Sequence, residues 1–216
     1  MPRGFLDDAA RTALADSVKA IEGASSVEVV IAVRARARVW LHAHLVAGFV
    51  AAWLALAFML YSDHAFGLAS FLVDPAVAAV LAGVLTAFSP PLVRALTPRG
   101  VRRRAVVEAA RAAFYERGVH HTRGRTGVLV YVALTERMAE LVPDDAVVQG
   151  IEPGAWRKAC AAIDAAVVHG GVATARALAG LAPLAMAALP RHADDENELP
   201  DAIDDGSAPA APARTA

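Results

Sequence analysis

Residues 27–61 read VEVVIAVRARARVWLHAHLVAGFVAAWLALAFMLY, and the passage changes character twice. Its first nine residues are dense in valine and isoleucine, which suits a short strand better than a helix. Arg34 near their end is joined by Arg36 and Arg38, and then residues 39–61 carry no Asp, Glu, Lys or Arg. At a rise of about 1.5 Å per residue this second run reaches roughly 35 Å, enough to cross a hydrocarbon layer of about 30 Å with some tilt. A strand therefore leads straight into a membrane span, and the soluble fold must resume after the chain returns.

The return is PAVAAVLAGVLTAFSPPL, residues 75–92, shorter and closed by Pro90 and Pro91, which end or kink a helix. Between the runs, YSDHAFGLASFLVD supplies Asp63, His64, Gly67, Ser70 and Asp74 and no lysine or arginine, as the tip of a hairpin should. Arginines crowd both outer flanks, with Arg94, Arg99, Arg102, Arg103 and Arg104 after the second run. By the positive-inside rule both termini are expected in the cytoplasm, with the chain integral to a bacterial inner membrane and the lipid bilayer as its first partner. A helical hairpin buried in a soluble protein would need covering surfaces on every side, and the remaining chain is too small to supply them. Trp40 and Tyr61 suit an aromatic belt, and Trp53 lies mid-span. His42 and His44, two residues apart, do not share a helix face and so read as headgroup-level side chains rather than joint metal ligands.

Composition agrees, since 56% hydrophobic against 20% charged residues is rich for a wholly soluble chain. A net charge of -1 gives no basic footprint, which argues against a nucleic acid partner. The single cysteine, Cys160, precludes an internal disulfide, and its apolar neighbours suggest a buried thiol in a reducing compartment. The opening MPRGFLDDAARTALAD lacks the charged-then-apolar pattern of a cleaved signal and is expected to be retained.

The flanks compose one soluble domain in two pieces. Leu6, Ala10, Leu14, Val18 and Ile21 mark an amphipathic helix over residues 5–21, with Asp7 and Asp8 at its start. Residues 101–118 give a second helix, with Val106, Ala110, Ala113 and Phe114 on one stripe and Gly118 as its stop. After the loop VHHTRGRTG comes GVLVYVAL, the clearest strand, turning through Thr135 and Glu136 into a short hairpin partner. Strand, helix and strand allow a parallel crossover with the apolar hairpin inserted in it. EPGAWRKACAAIDAAVVHGG is a further helix, with Trp156, Ala159, Cys160 and Ile163 on one face. VATARALAGLAPLAMAALP is a last one, bent at Pro183; it borders on a third span, against which Arg176 and its small side chains argue. The expected fold class is α/β: a small mixed sheet flanked by helices, interrupted by a two-helix transmembrane hairpin. Residues 1–38 and 97–200 form the split cytoplasmic domain, 39–96 the hairpin, and 201–216 a tail low in large apolar groups and expected to be disordered.

This order of elements resembles the TPM domain, a family that includes a thylakoid-lumen protein of photosystem repair and an accessory membrane protein of nematode receptors. The resemblance rests on residues 26–33, where Glu28 precedes the apolar strand, and on TRGRTGVLVYVALTERMAELVPDDAVV. PGAWRKA and RHADDENELPD are similar to a bacterial branch with a membrane hairpin at this position. The resemblance implies an α/β fold and, for some members, weak acid phosphatase activity or calcium binding by acidic groups near strand ends. Asp144 and Asp145 are the best placed here. The missing signal and the cytoplasmic placement depart from the extracytoplasmic members and speak against a lumenal role.

Chemically, Asp144 and Asp145 would offer hard oxygens to calcium or magnesium, or simply form a solvated turn capping the strand. His120 and His121 beside Arg123 and Arg125 would grip a phosphate or anionic lipid, or form an ordinary exposed basic loop. His192, Asp194, Asp195, Glu196 and Glu198 concentrate possible ligands, and ADDENELPD has the look of an extended peptide that docks back through Leu199 or is read by a partner. No serine sits on a strand-to-helix elbow, and GRTG precedes a strand instead of opening a helix, so neither a hydrolase triad nor a phosphate loop is indicated. Two functions remain: an accessory or scaffold module for a membrane-associated complex, with another membrane protein as partner, or a weak metal-dependent phosphatase.

Overall fold

The computed structural model describes residues 4–192, 197–199 and 203–206. Helix α1 (Asp8–Ala24) starts where Asp7 accepts the Ala10 N–H at 2.7 Å, satisfying one of the free donors of its first turn. Strand β1 (Glu28–Arg34) follows, then α2 (Leu41–Tyr61), α3 (Leu68–Ala87), α4 (Pro90–Leu96) and α5 (Arg99–Glu116). Strands β2 (Gly127–Ala133) and β3 (Met138–Pro143) precede α6 (Asp145–Gly150), α7 (Pro153–Ala166), α8 (Gly171–Ala179) and α9 (Ala182–Ala188).

The chain divides into two units, residues 1–37 with 103–216, and residues 38–102. In the first, β2 is the central strand. It pairs parallel to β1, Glu28 opposite Gly127 through Arg34 opposite Ala133, and antiparallel to β3. Helices cover both faces of the sheet, which is why β1 and β2 are nearly continuous apolar runs rather than alternating ones. Val29, Ile31 and Val33 share one core with Val128, Val130, Val132, Leu14, Ile21, Ile163 and Leu178. Val30 and Ala32 face the other core with Leu129, Tyr131, Val106, Ala110 and Phe114 of α5.

Both sheet edges are closed, as exposed edges invite unwanted pairing. At β3, Arg103 donates to the Ala139 carbonyl at 2.7 Å, and the Ala139 N–H donates to Asp164 at 2.8 Å. At β1, the Val33 N–H donates to the Asp204 carbonyl at 2.7 Å, and the Asp204 N–H to the Ile31 carbonyl at 2.9 Å. Residues 203–206 thus lie along the sheet, where the composition of 201–216 suggested disorder. Two backbone hydrogen bonds and the acid pairs described below supply what apolar side chains do not. Glu136, 1% exposed, accepts the Ala37 N–H on both carboxylate oxygens at 3.2 Å, tying the β2–β3 turn to the chain leaving β1.

In the second unit, α2 and α3 pack as an antiparallel hairpin. As α2 advances from His44 to Gly48, its partner runs back from Gly83 to Ala79. His44 Nδ1 donates to the Gly83 carbonyl at 3.1 Å, and a Cβ on Gly48 would lie 2.8 Å from the Ala79 carbonyl oxygen. Helix α3 begins at Leu68 and not near Pro75. The proline sits buried inside the helix, and the connecting turn contracts to residues 62–67. Only one backbone donor is lost at Pro75, and the flanking turns hold the helix together. Pro90 and Pro91 open α4, at a position where no N–H is needed. His42 instead meets Thr97 Oγ1 at 3.1 Å, so the two histidines serve separate partners.

Three helical stretches are long and apolar enough to cross a membrane: Leu41–Tyr61, Leu68–Ala87 and Gly171–Ala188. The first two leave Phe49, Trp53, Phe58, Leu72, Leu81 and Leu85 exposed. The third is α8 and α9, separated at Gly180 and Leu181, and it buries Ala175, Leu178, Leu181 and Ala185 in the first core. Pro183 lies in the opening turn of α9 and causes no mid-helix bend.

Candidate functional site

The loop before β2 carries four of the polar groups singled out from sequence, His120, His121, Arg123 and Arg125. Gly118, at φ 65, ends α5, and a 3-10 turn over Val119–His121 follows. Arg125 adopts φ 53, a left-handed conformation uncommon for a side chain of this size. That conformation turns its guanidinium onto Asp144 Oδ1 at 3.1 Å and Asp145 Oδ2 at 2.9 Å, while Nη1 donates to the His120 carbonyl at 2.9 Å. The hydrogen bond to Asp145 pushes the Arg125 pKa further above its ordinary value.

Asp144 is the N-cap of α6. Its Oδ1 accepts the Asp145 N–H at 2.8 Å, and its own N–H donates to the Gly127 carbonyl at 2.8 Å. It is 3% exposed, so the solvated turn suggested by Pro-Asp-Asp is a buried cap. A divalent cation needs several oxygen ligands. Here a guanidinium stands against both carboxylates, Asp144 Oδ1 is spent on the cap, and Asp144 Oδ2 is buried without a hydrogen bond. Among the described residues no three His, Cys, Asp or Glu side chains gather where they could hold a metal ion. The pair as arranged fits an internal ionic lock and does not fit calcium or magnesium, so no chemistry is derived through a metal.

Of the four residues proposed to contact anions, His120, His121 and Arg125 stay together and Arg123 stands apart. Arg125 is committed to carboxylates. The His120 ring packs beside Tyr115 and His121, with ring centroids 5.1 and 3.9 Å away, and its Nδ1 is buried. Arg123 lines a different place, a cleft of about 270 Å³ with Glu22, Ser26, Glu28, Arg191 and Glu198. There the Glu198 carboxylate accepts the Arg123 N–H at 3.2 Å, and the Glu198 N–H donates to Glu28 Oε1 at 3.0 Å. Arg191 donates to the Glu22 carbonyl at 2.9 Å. Both signs of charge alternate around this cleft, so it presents no uniform field for an anion. Leu199 packs against the α5-side core. His192 is exposed, while Asp194 and Asp195 lie outside the described residues.

Sequence reasoning missed the residues that converge most tightly. The Asp204 carboxylate, 8% exposed, takes both Arg34 of β1 and Arg117 at the end of α5, and Asp205 pairs with Arg11 at 2.7 Å. The available signal was a late acidic pair after Ile203, in a stretch whose composition otherwise reads as unstructured.

No protein-family model and no curated protein matches the chain by sequence. Among solved structures, the chain is similar to the NMR structure of BA42 protein from the psychrophilic bacterium Bizionia argentinensis. Identity is 16% and the TM-score 0.54, with 94% of this chain and 96% of that one covered. At that identity the likeness shows a shared fold alone. It does not carry the sequence resemblance to the TPM domain, which rests on the motifs of β1, β2 and the loop between α5 and β2.

Proposed function

We propose that this chain is a membrane-tethered interaction module: a TPM-like α/β domain on the cytoplasmic side of a bacterial inner membrane, held by the α2–α3 hairpin and serving a membrane-associated complex as an accessory or scaffold. The observation that carries the reading is the hairpin's outward face. Phe49, Trp53, Phe58, Leu81 and Leu85 are exposed on two charge-poor helices, an arrangement that suits lipid and is costly in water. Arginines at both outer ends of the hairpin support the cytoplasmic orientation. The ionic lock of Arg125 with Asp144 and Asp145 supports an interacting rather than a hydrolytic domain, because it consumes the carboxylates that phosphoryl chemistry would use.

Cells expressing the chain test this directly. Alkaline carbonate is expected to leave it in the membrane pellet. A cysteine placed at Ser62 is expected to react with an impermeant maleimide from the periplasmic side, while one placed at the exposed Lys158 stays unlabelled until the membrane is opened. Crosslinking in mild detergent is expected to recover a membrane protein that is lost when residues 103–206 are removed. Release by carbonate would overturn the tether. Hydrolysis of p-nitrophenyl phosphate that disappears in an Asp144→Asn, Asp145→Asn variant would overturn the non-enzymatic reading.

A further inference from the structure

We infer that the outer edge of β1, with Arg11, Arg34 and Arg117 around it, is a receptor for an extended acidic peptide of a partner protein, and that residues 203–206 are its occupant in cis. This deepens the interaction-module reading and rests on it. Four consecutive residues are recognised in four ways. Ile203 packs on the first core. Asp204 adds to β1 as a single-residue parallel bridge through hydrogen bonds to Ile31 and Val33. Its carboxylate joins two guanidiniums, and Arg34 also donates to the Asp204 carbonyl at 2.9 Å. Asp205 meets Arg11, and Gly206, at φ 79, turns the chain away while its N–H donates to Asp204 Oδ1 at 3.0 Å.

Main-chain pairing along a sheet edge combined with pockets for particular side chains is the general manner in which folded domains read extended peptides. The charge pattern states the ligand. With the segment displaced, Arg34 and Arg117 would converge on an empty position, and the Val33 N–H and Ile31 carbonyl would lack partners. Whatever fills the edge must therefore bring an apolar residue followed by two carboxylates. Ten residues separate His192 from Ile203, so the segment competes from a high effective concentration, and a partner peptide gains entry when the local copy is weakened.

The test uses the full chain in detergent micelles and a fluorescent peptide, PDAIDDGS, copying residues 200–207. Wild-type protein is expected to bind it weakly. Asp204→Ala is expected to bind it about ten-fold or more tightly, and adding Arg117→Ala is expected to abolish that gain, because a buried carboxylate loses its counter-charge. A peptide with asparagine in place of its first of two adjacent aspartates is expected to bind about ten-fold or more weakly. Asp204→Asn provides a second host of nearly native shape, with circular dichroism confirming that each host is folded. Absence of saturable binding in folded Asp204→Ala and Asp204→Asn overturns the proposal. So does a failure of both to fold, since the segment is then an integral strand and no exchangeable ligand. Peptide binding without a captured membrane partner would sink the complex-forming role and leave the groove. A captured partner without peptide binding would do the reverse.

Discussion

Asp144 and Asp145 are adjacent in sequence and share one arginine, yet their surroundings differ: the first is a buried helix cap, the second is largely exposed. Asp144→Ala is expected to lower unfolding free energy by about 1–3 kcal/mol, through the lost cap and the uncovered polar groups around it. Asp145→Ala should leave the denaturation midpoint within error of wild type. In sequence the pair reads as a solvated turn capping the strand, and the buried helix cap escapes that reading because α6 is only six residues long. The partnership with Arg125 was not legible either, because it depends on a left-handed backbone conformation twenty residues earlier in the chain. Cys160 is a second case. Burial, with Glu140 adding to it, pushes its thiol up to about 11 from an ordinary 9.0. Two units leave roughly a hundred-fold less thiolate, so alkylation of the folded protein at pH 8 should run slower than that of an unfolded control by about that factor. Because the raised value favours the protonated fold, this contribution to stability is complete below pH 9 and lost as pH rises towards 11. Denaturant melts at pH 8 and 10.5 should differ less in Cys160→Ala than in wild type.

Strands β1 and β2 were legible because a sheet covered on both faces writes itself as unbroken Val, Ile and Leu. Their parallel pairing was legible as a possibility, since a helix lies between them. The start of α3 was not, because an interior proline normally marks a boundary and the local pattern gives no sign of the neighbouring helix. The turn α6 was hidden by its length of six residues. Close approach of backbones accounts for two glycines. A Cβ at Gly127 would fall 2.2 Å from the Val119 carbonyl oxygen, so Gly127→Ala should displace the entry to β2 and leave less folded protein on expression, measured by near-ultraviolet dichroism. Gly48→Leu should cost about 1–3 kcal/mol by overpacking the α2–α3 seam, lowering the thermal midpoint in detergent without altering membrane extraction.

At the scale of the whole molecule, both described apolar cores lie in the unit of residues 1–37 and 103–216, one on each face of its sheet, and that unit has helices on both faces of the sheet and a guard at each edge. Replacing residues 38–102 by a short glycine-serine linker should therefore yield a folded, water-soluble α/β domain, recognisable by a cooperative melt and by retention of the slow Cys160 alkylation. Aggregation or a non-cooperative melt would show that the soluble unit depends on the hairpin. The position of the hairpin between β1 and β2 also sets the order of events at the ribosome. Strand β1 emerges early, but β2, with which it pairs, lies about a hundred residues later, which at 5–20 residues per second is on the order of five to twenty seconds. Throughout that interval α1 and β1 wait as a half-made layer while α2 to α5 are synthesised. Under the membrane tethering proposed above, insertion would precede completion of the sheet, and a nascent copy that missed the membrane would still hold an unpaired apolar strand.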